Sequence, residues 1–207
     1  MVDRDRVNAL WEIEHIKNNE GYNLIAGVDE AGRGPLAGPV CVAAVILPMD
    51  LYLEKINDSK KLSDKQKDKL YDEIIGKAIA YSIVLIDHNV IDEINILNAT
   101  FKGMCDAVNG LGVKADYVLI DGNRIKGMDN IPHECVVKGD SKSISIAAAS
   151  ILAKVTRDRY MNELDEKYPQ YGFKKHMGYP TKAHYEALKQ YGASDVHRMS
   201  FNLKLGE

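Results

Sequence analysis

The chain has little of what several large protein classes require. Its three cysteines, Cys41, Cys105 and Cys135, are an odd number with no C-x-x-C spacing. That excludes a disulfide framework and a zinc-finger signature. No run reaches the roughly 18 apolar residues of a membrane-spanning helix. The charged opening MVDRDRVNALWEIEHIK has no apolar segment like that of a signal peptide. Together these predict a reducing, cytoplasmic setting and no membrane contact. A net charge of -3 argues against holding nucleic acid by bulk positive charge, though not against a local basic groove beside an acidic centre. No repeat or low-complexity segment is present. No G-x-S-x-G, P-loop or H-E-x-x-H pattern supplies a nucleophile, a phosphate cradle or a zinc site.

What is there describes an ordinary globular protein: 207 residues, 45% hydrophobic and 28% charged. That suits one domain with a real core and a monomeric state. Val7, Leu10, Trp11 and Ile16 stand at helical spacing over residues 3–19, with Asp3 as a candidate N-cap; this reads as a packing helix ended by Gly21. Leu24–Leu47, LIAGVDEAGRGPLAGPVCVAAVIL, contains two Val/Ile/Ala-rich runs joined by a turn rich in Gly and Pro, the pattern of two buried strands. Ser63 and Gln66 form a capping-box pattern before a helix, which leaves Asp58, Ser59, Lys60 and Lys61 on the loop ahead of it. Strands are predicted over 78–86, 117–120 and 135–137. A helix or helix pair is predicted over 91–111. The helix after Asp140 carries Ile146, Ala149, Ser150, Ala153 and Val155 on its core face, and its small residues permit close approach to a sheet. A last helix runs from Lys182 to Gln190. Strands alternating with helices predict an α/β fold with helices packed on a sheet.

Asp29, Glu30 and Asp121 all fall where an apolar strand ends, and Asp140 stands at a helix entrance. Functional groups gather at strand ends in such sheets. Taken singly, each acid has a plain structural explanation: a salt-bridged strand end for the pair, an Asx turn with Gly122 for Asp121, an N-cap or a partner to Lys138 or Lys142 for Asp140. Taken together, they predict converging carboxylates that need a counter-charge. All-oxygen ligands suit Mg²⁺ or Mn²⁺. Two such ions stabilise the attacking and leaving oxygens of a phosphoryl displacement.

The stretches GVDEAGRGPLAGPV, NDSKKLS, INILNAT, VLIDGN, KGDSKSISIAAASILAKVTRD, GYPTKAH and HRMSF span residues 27–201. In this order they closely resemble the bacterial ribonuclease HII family, a type 2 ribonuclease H. The resemblance implies a ribonuclease H-like fold, with a mixed central sheet flanked by helices and a C-terminal helical part over about 170–207. It implies cleavage of the RNA strand of RNA–DNA hybrids. It also implies cutting 5′ of single ribonucleotides embedded in duplex DNA, leaving 3′-hydroxyl and 5′-phosphate ends. Carried over by position, Asp29, Glu30, Asp121 and Asp140 match the metal-binding catalytic acids. Gly32, Arg33 and Gly34 match the segment that reads the ribonucleotide, Tyr179 the ring that packs on the neighbouring deoxyribose, and Ser59 and Lys60 phosphate contacts. The sister type, ribonuclease HIII, does not carry the GRG sequence. His197 and Arg198 match a C-terminal motif, with a structural or weak backbone-contact role. The tail lacks the proline often found after that motif.

Overall fold

The computed structural model describes residues 2–56 and 62–205. Its centre is a five-stranded mixed sheet: β1 (Ile25–Ala31), β2 (Val40–Ile46), β3 (Ala80–Ile86), β4 (Tyr117–Asp121) and β5 (His133–Val136), in the order β3-β2-β1-β4-β5. β1 and β2 pair antiparallel, as do β2 and β3, while β1–β4 and β4–β5 are parallel. All of β2 is buried, as are the first five residues of β1. Both faces of the sheet centre are covered, so these strands read as continuous apolar runs rather than alternating ones.

Helix α5 (Ile144–Lys167) covers one face and α4 (His88–Asn109) the other. Gly27 sets how closely α5 approaches. A Cβ placed there would come 2.1 Å from the backbone carbonyl carbon of Ser145. The facing helix residues Ala147, Ala148 and Ala149 are all fully buried. Ser143 caps α5, its side chain accepting the Ile146 N–H at 3.2 Å. Glu14, buried in α2 (Glu12–Asn19), accepts hydrogen bonds from the Ser143 hydroxyl and the Ser145 N–H, an acid placed at a helix N-terminus.

The N-terminal segment is two helices, not one. α1 (Val2–Ala9) already contains Asp3, which is therefore not a cap, and α2 begins at Glu12. The break serves α5: the Leu10 carbonyl accepts the Ile144 N–H, and Trp11 donates to the Leu51 carbonyl. Ile16, in the predicted apolar stripe, is 49% exposed. α4 is interrupted at Asn95, whose φ of +65° and ψ of 163° leave the helix; its side chain accepts the N–H groups of Leu97 and Asn98 and so recaps the second half. The capping box holds in α3 (Asp64–Lys77), with Gln66 accepting the Ser63 N–H at 3.0 Å. The C-terminal part, α6 (Phe173–His176) and α7 (Lys182–Tyr191), shares a separate apolar cluster with Leu36, Ala37 and Met161. Among the described residues no helix is long and apolar enough to cross a membrane.

The tight β1–α5 contact makes a direct prediction. Gly27→Ala should lower stability by about 3 kcal/mol, the upper end of ordinary overpacking, measured by urea denaturation. An unchanged midpoint would contradict the contact.

Candidate active site

The parallel pair β1–β4 brings the acids together. Val28 pairs with Ile120, so Asp29 and Asp121 stand side by side one residue further along. Strand alternation turns Asp29 toward α5, the side that Gly27 and Ala43 also face. Asp29 is buried, accepts the Glu30 N–H at 2.7 Å and hydrogen-bonds the Ser150 side chain on α5. Burial, then the charges of Glu30 and Asp121, hold its pKa well above the usual carboxylate value. Glu30 is raised too, by burial first; Arg33 works against the shift from 3.4 Å, and Asp121 adds to it. The Asp121 carboxylate reaches across to the Gly139 N–H at 2.6 Å, while the Gly122 N–H goes to Val136. Asp140 follows Gly139 in a short 3-10 turn, Gly139–Ser141, and is half-buried. It does not cap α5, because Ser143 does. In their present positions, no three His, Cys, Asp or Glu side chains among the described residues close around a metal-sized point. The acids line one open end of the sheet rather than a finished cage.

A cleft of about 480 Å³ opens beside them, lined by Glu30, Gly32, Arg33, Gly34, Ser150 and Tyr179, with Lys67 and Lys154 on its wall. Its lining carries three basic side chains and one acid, Glu30, although the whole chain is slightly negative. Gly34 faces the Tyr179 ring; a Cβ on Gly34 would sit 3.5 Å from it. Tyr179 remains 42% exposed. Gly32 has φ +96°, and a Cβ there would strike the Arg157 side chain, so this loop position accepts only glycine.

Two buried arginines carry the loop from behind. Arg198 donates to the carbonyls of Gly38 (2.9 Å), Arg33 (3.0 Å) and Gly32 (2.7 Å). Arg157 donates to those of Pro39 (3.0 Å), Met177 (3.0 Å) and Ala37 (3.3 Å). Burial, then the Arg157 charge, lowers the Arg198 pKa to about 9, which leaves it protonated at neutral pH. The backbone of His197 also bridges Ala37, and the Arg198 N–H reaches the Leu36 carbonyl.

The structure thus gathers Asp29, Glu30, Gly32, Arg33, Gly34, Asp121 and Tyr179, with Asp140 one residue beyond the Asp121 contact. Ser59 and Lys60 lie outside the described residues. Ser150, read as a core position, instead turns to the cleft and Asp29. Lys67, Lys154 and Arg157 were not singled out by the sequence. Arg157 had a signal: it continues the i, i+4 stripe Ala153, Arg157, Met161, whose flanking members are buried. His197 and Arg198 are fully buried and bond only other groups of the protein.

The family model for Ribonuclease HII matches residues 26–204. The chain belongs to the ribonuclease HII family. A Ribonuclease HII of Ruminiclostridium cellulolyticum is 54% identical over 201 residues, 96% of this chain and 78% of the relative. The solved PCNA:RNase HII complex from Archaeoglobus fulgidus gives a TM-score of 0.76 at 26% identity, over 89% of this chain and 98% of that one. Bst-RNase HIII, solved with Mn²⁺, gives 0.64 at 19% identity, over 87% and 67% of the two chains; at that identity the likeness is one of fold. As a ribonuclease HII, the chain is an endoribonuclease acting on RNA–DNA hybrids, in a divalent-metal-dependent family.

The raised acids fix the sign of a pH effect. A carboxyl whose folded pKa lies above its unfolded one stabilises fully below the unfolded value of roughly 4 and loses that contribution as pH rises through the folded value. In chelator at neutral pH, Asp29→Asn should therefore raise the melting temperature, by roughly 2–4 °C per kcal/mol relieved. A lower melting temperature would contradict the buried-charge account.

Proposed function

We propose that this ribonuclease HII cuts on the 5′ side of single ribonucleotides in duplex DNA as well as within RNA–DNA hybrids, leaving 3′-hydroxyl and 5′-phosphate ends. The observation that carries the reading is the pair Asp29 and Asp121, on adjacent parallel strands, next to Glu30, which lines a cleft together with the Gly32–Gly34 loop and Tyr179. The donor chemistry fits a hard divalent cation: the groups are all oxygens, and burial and mutual repulsion leave Asp29 and Glu30 in want of positive charge. Asp29, Glu30, Asp121 and Asp140 would hold Mg²⁺ or Mn²⁺. When bound, a pair of such ions supplies an activated water and stabilises the leaving oxygen. The Mn²⁺ of the ribonuclease HIII neighbour supports that class of ion.

The chain's own part is to hold and to choose. The backbone of Gly32–Gly34, free of side chains at both glycines, can approach a sugar and hydrogen-bond a 2′-hydroxyl, the group that separates RNA from DNA. The Tyr179 ring packs on the sugar of the next nucleotide and leaves no room for a second 2′-hydroxyl. Arg33, Lys67 and Lys154 offer positive charge to the backbone phosphates. Ser59 and Lys60 are assigned phosphate contacts on the family resemblance. The enzyme works as a monomer in a reducing cytoplasm, consistent with its three free cysteines.

The test is a labelled DNA duplex carrying one ribonucleotide, with Mg²⁺, Mn²⁺ or chelator. A metal-dependent cut immediately 5′ of the ribonucleotide is expected, and Asp29→Asn should slow it on the order of 10³-fold, several kcal/mol of lost charge stabilisation. Cutting of all-DNA duplex, cutting in chelator, or full activity in Asp29→Asn would overturn the proposal.

A further inference from the structure

His184 and His197 face each other in the C-terminal part, both with essentially no solvent exposure. Backbone groups at the two ends favour one proton arrangement, although the Ser194 hydroxyl, 2.8 Å from His197 Nδ1, can donate or accept. His197 Nδ1 lies 2.9 Å from the Ser194 backbone nitrogen, a group that can only donate. Nδ1 therefore offers its lone pair, and the neutral ring carries its proton on Nε2. That Nε2 lies 3.0 Å from His184 Nε2. His184 must accept there, so its own proton is on Nδ1. His184 Nδ1 in turn lies 3.0 Å from the Tyr179 carbonyl, which can only accept. The chain runs one way, from the Ser194 N–H through His197 and His184 to Tyr179.

A second proton on His184 Nε2 breaks the relay, because it would face the His197 N–H; one on His197 Nδ1 would displace the Ser194 N–H and turn to the Ser194 hydroxyl. Burial holds both pKa values down, His197 at about 4, with the charge of a neighbouring histidine adding to the shift. The rings are packed as well as bonded. His176 stacks on His184 at 4.5 Å between centroids, and Phe173 meets it edge-on at 5.5 Å.

We propose that His184 and His197 are positioning residues: a one-way hydrogen-bond relay that fixes the Tyr179 backbone and so holds the Tyr179 ring against Gly34 on the cleft wall, where it sets the preference for a lone ribonucleotide. The effect on selectivity rests on the reading of Tyr179 given above; the relay itself does not. His197 lies beside Arg198, so two adjacent residues hold both sides of the reading site. One grips the Gly32–Gly38 loop, and the other aligns the ring that faces it.

Two measurements test this. Long-range ¹⁵N–¹H NMR of the wild-type protein at pH 7 should show both rings neutral, His184 protonated on Nδ1 and His197 on Nε2. A His184 proton on Nε2 would overturn the relay. Kinetics then test its role. His184→Phe keeps a ring against Phe173 and His176 but loses both bonds, whereas the amide of His184→Gln can accept from one neighbour and donate to the other. His184→Phe should reduce kcat/KM for the single-ribonucleotide duplex about tenfold more than for a long hybrid, the scale of one lost buried hydrogen bond. His184→Gln should recover part of that loss. In a Tyr179→Ala background, His184→Phe should change selectivity no further. Equal losses on both substrates, or the same selectivity loss in both backgrounds, would mean a merely structural role and overturn the proposal. Unchanged selectivity in Tyr179→Ala alone would overturn the role of Tyr179, and with it that of the relay in selectivity, while the NMR result still decides whether the relay exists.

Discussion

Arg157 and Arg198 are buried guanidiniums that face backbone carbonyls, and among the described residues neither has a carboxylate within ion-pair distance. The loop from Gly32 to Pro39 has a single isolated bridge, Ala37 with His197, so most of its carbonyls lack sheet partners. Left buried and unpaired, each would cost about 1–3 kcal/mol. Two planar forks satisfy Gly32, Arg33, Ala37, Gly38, Pro39 and Met177 together. A charged donor makes a stronger hydrogen bond than a neutral one, and several carbonyl dipoles pointing inward offset the guanidinium charge. The loop's shape is thus set by two side chains 118 to 166 residues away in sequence.

Charge organises the rest. Behind the loop lie the arginines; in front, at the ends of β1 and β4, lie Asp29, Glu30 and Asp121. The acids repel one another and are dehydrated, so they destabilise the protein that holds them. The sheet tolerates this because its centre is densely packed: Gly27 lets α5 lie on β1, and Glu14 secures the start of α5 from the N-terminal helices. A rigid floor with strained electrostatics is what a metal-dependent hydrolase requires, since the strain is relieved only when positive charge arrives.

Much of this was legible in the sequence. The strand pair around DEAGRGPLAGP is a continuous apolar run broken by Gly and Pro, and the acids stood out as carboxylates where such runs end. The split of the N-terminal helix was not legible, because Leu10 and Trp11 fit a helical stripe; what breaks it is the demand of Ile144 for a carbonyl. Ser150 shares the spacing of its buried neighbours, and only the position of Asp29 turns it into a cleft residue. Arg157 acts through partners 20 to 120 residues away, which no local periodicity records, and the meeting of His184 with His197 depends on how the C-terminal part folds back. The family resemblance pointed to Gly32–Gly34 and Tyr179 but not to what holds them.

The most direct measurement is the activity of Arg198→Lys on the single-ribonucleotide duplex, with the thermal shift on adding Mn²⁺ measured in parallel. Lysine keeps the charge but replaces the fork with a single ammonium that cannot span three carbonyls. If the buried fork sets the shape of the Gly32–Gly38 loop, cleavage falls by about tenfold or more, the scale of one or two lost charge-assisted hydrogen bonds, while Mn²⁺ still stabilises the protein through the acids. Wild-type cleavage by Arg198→Lys would contradict the account.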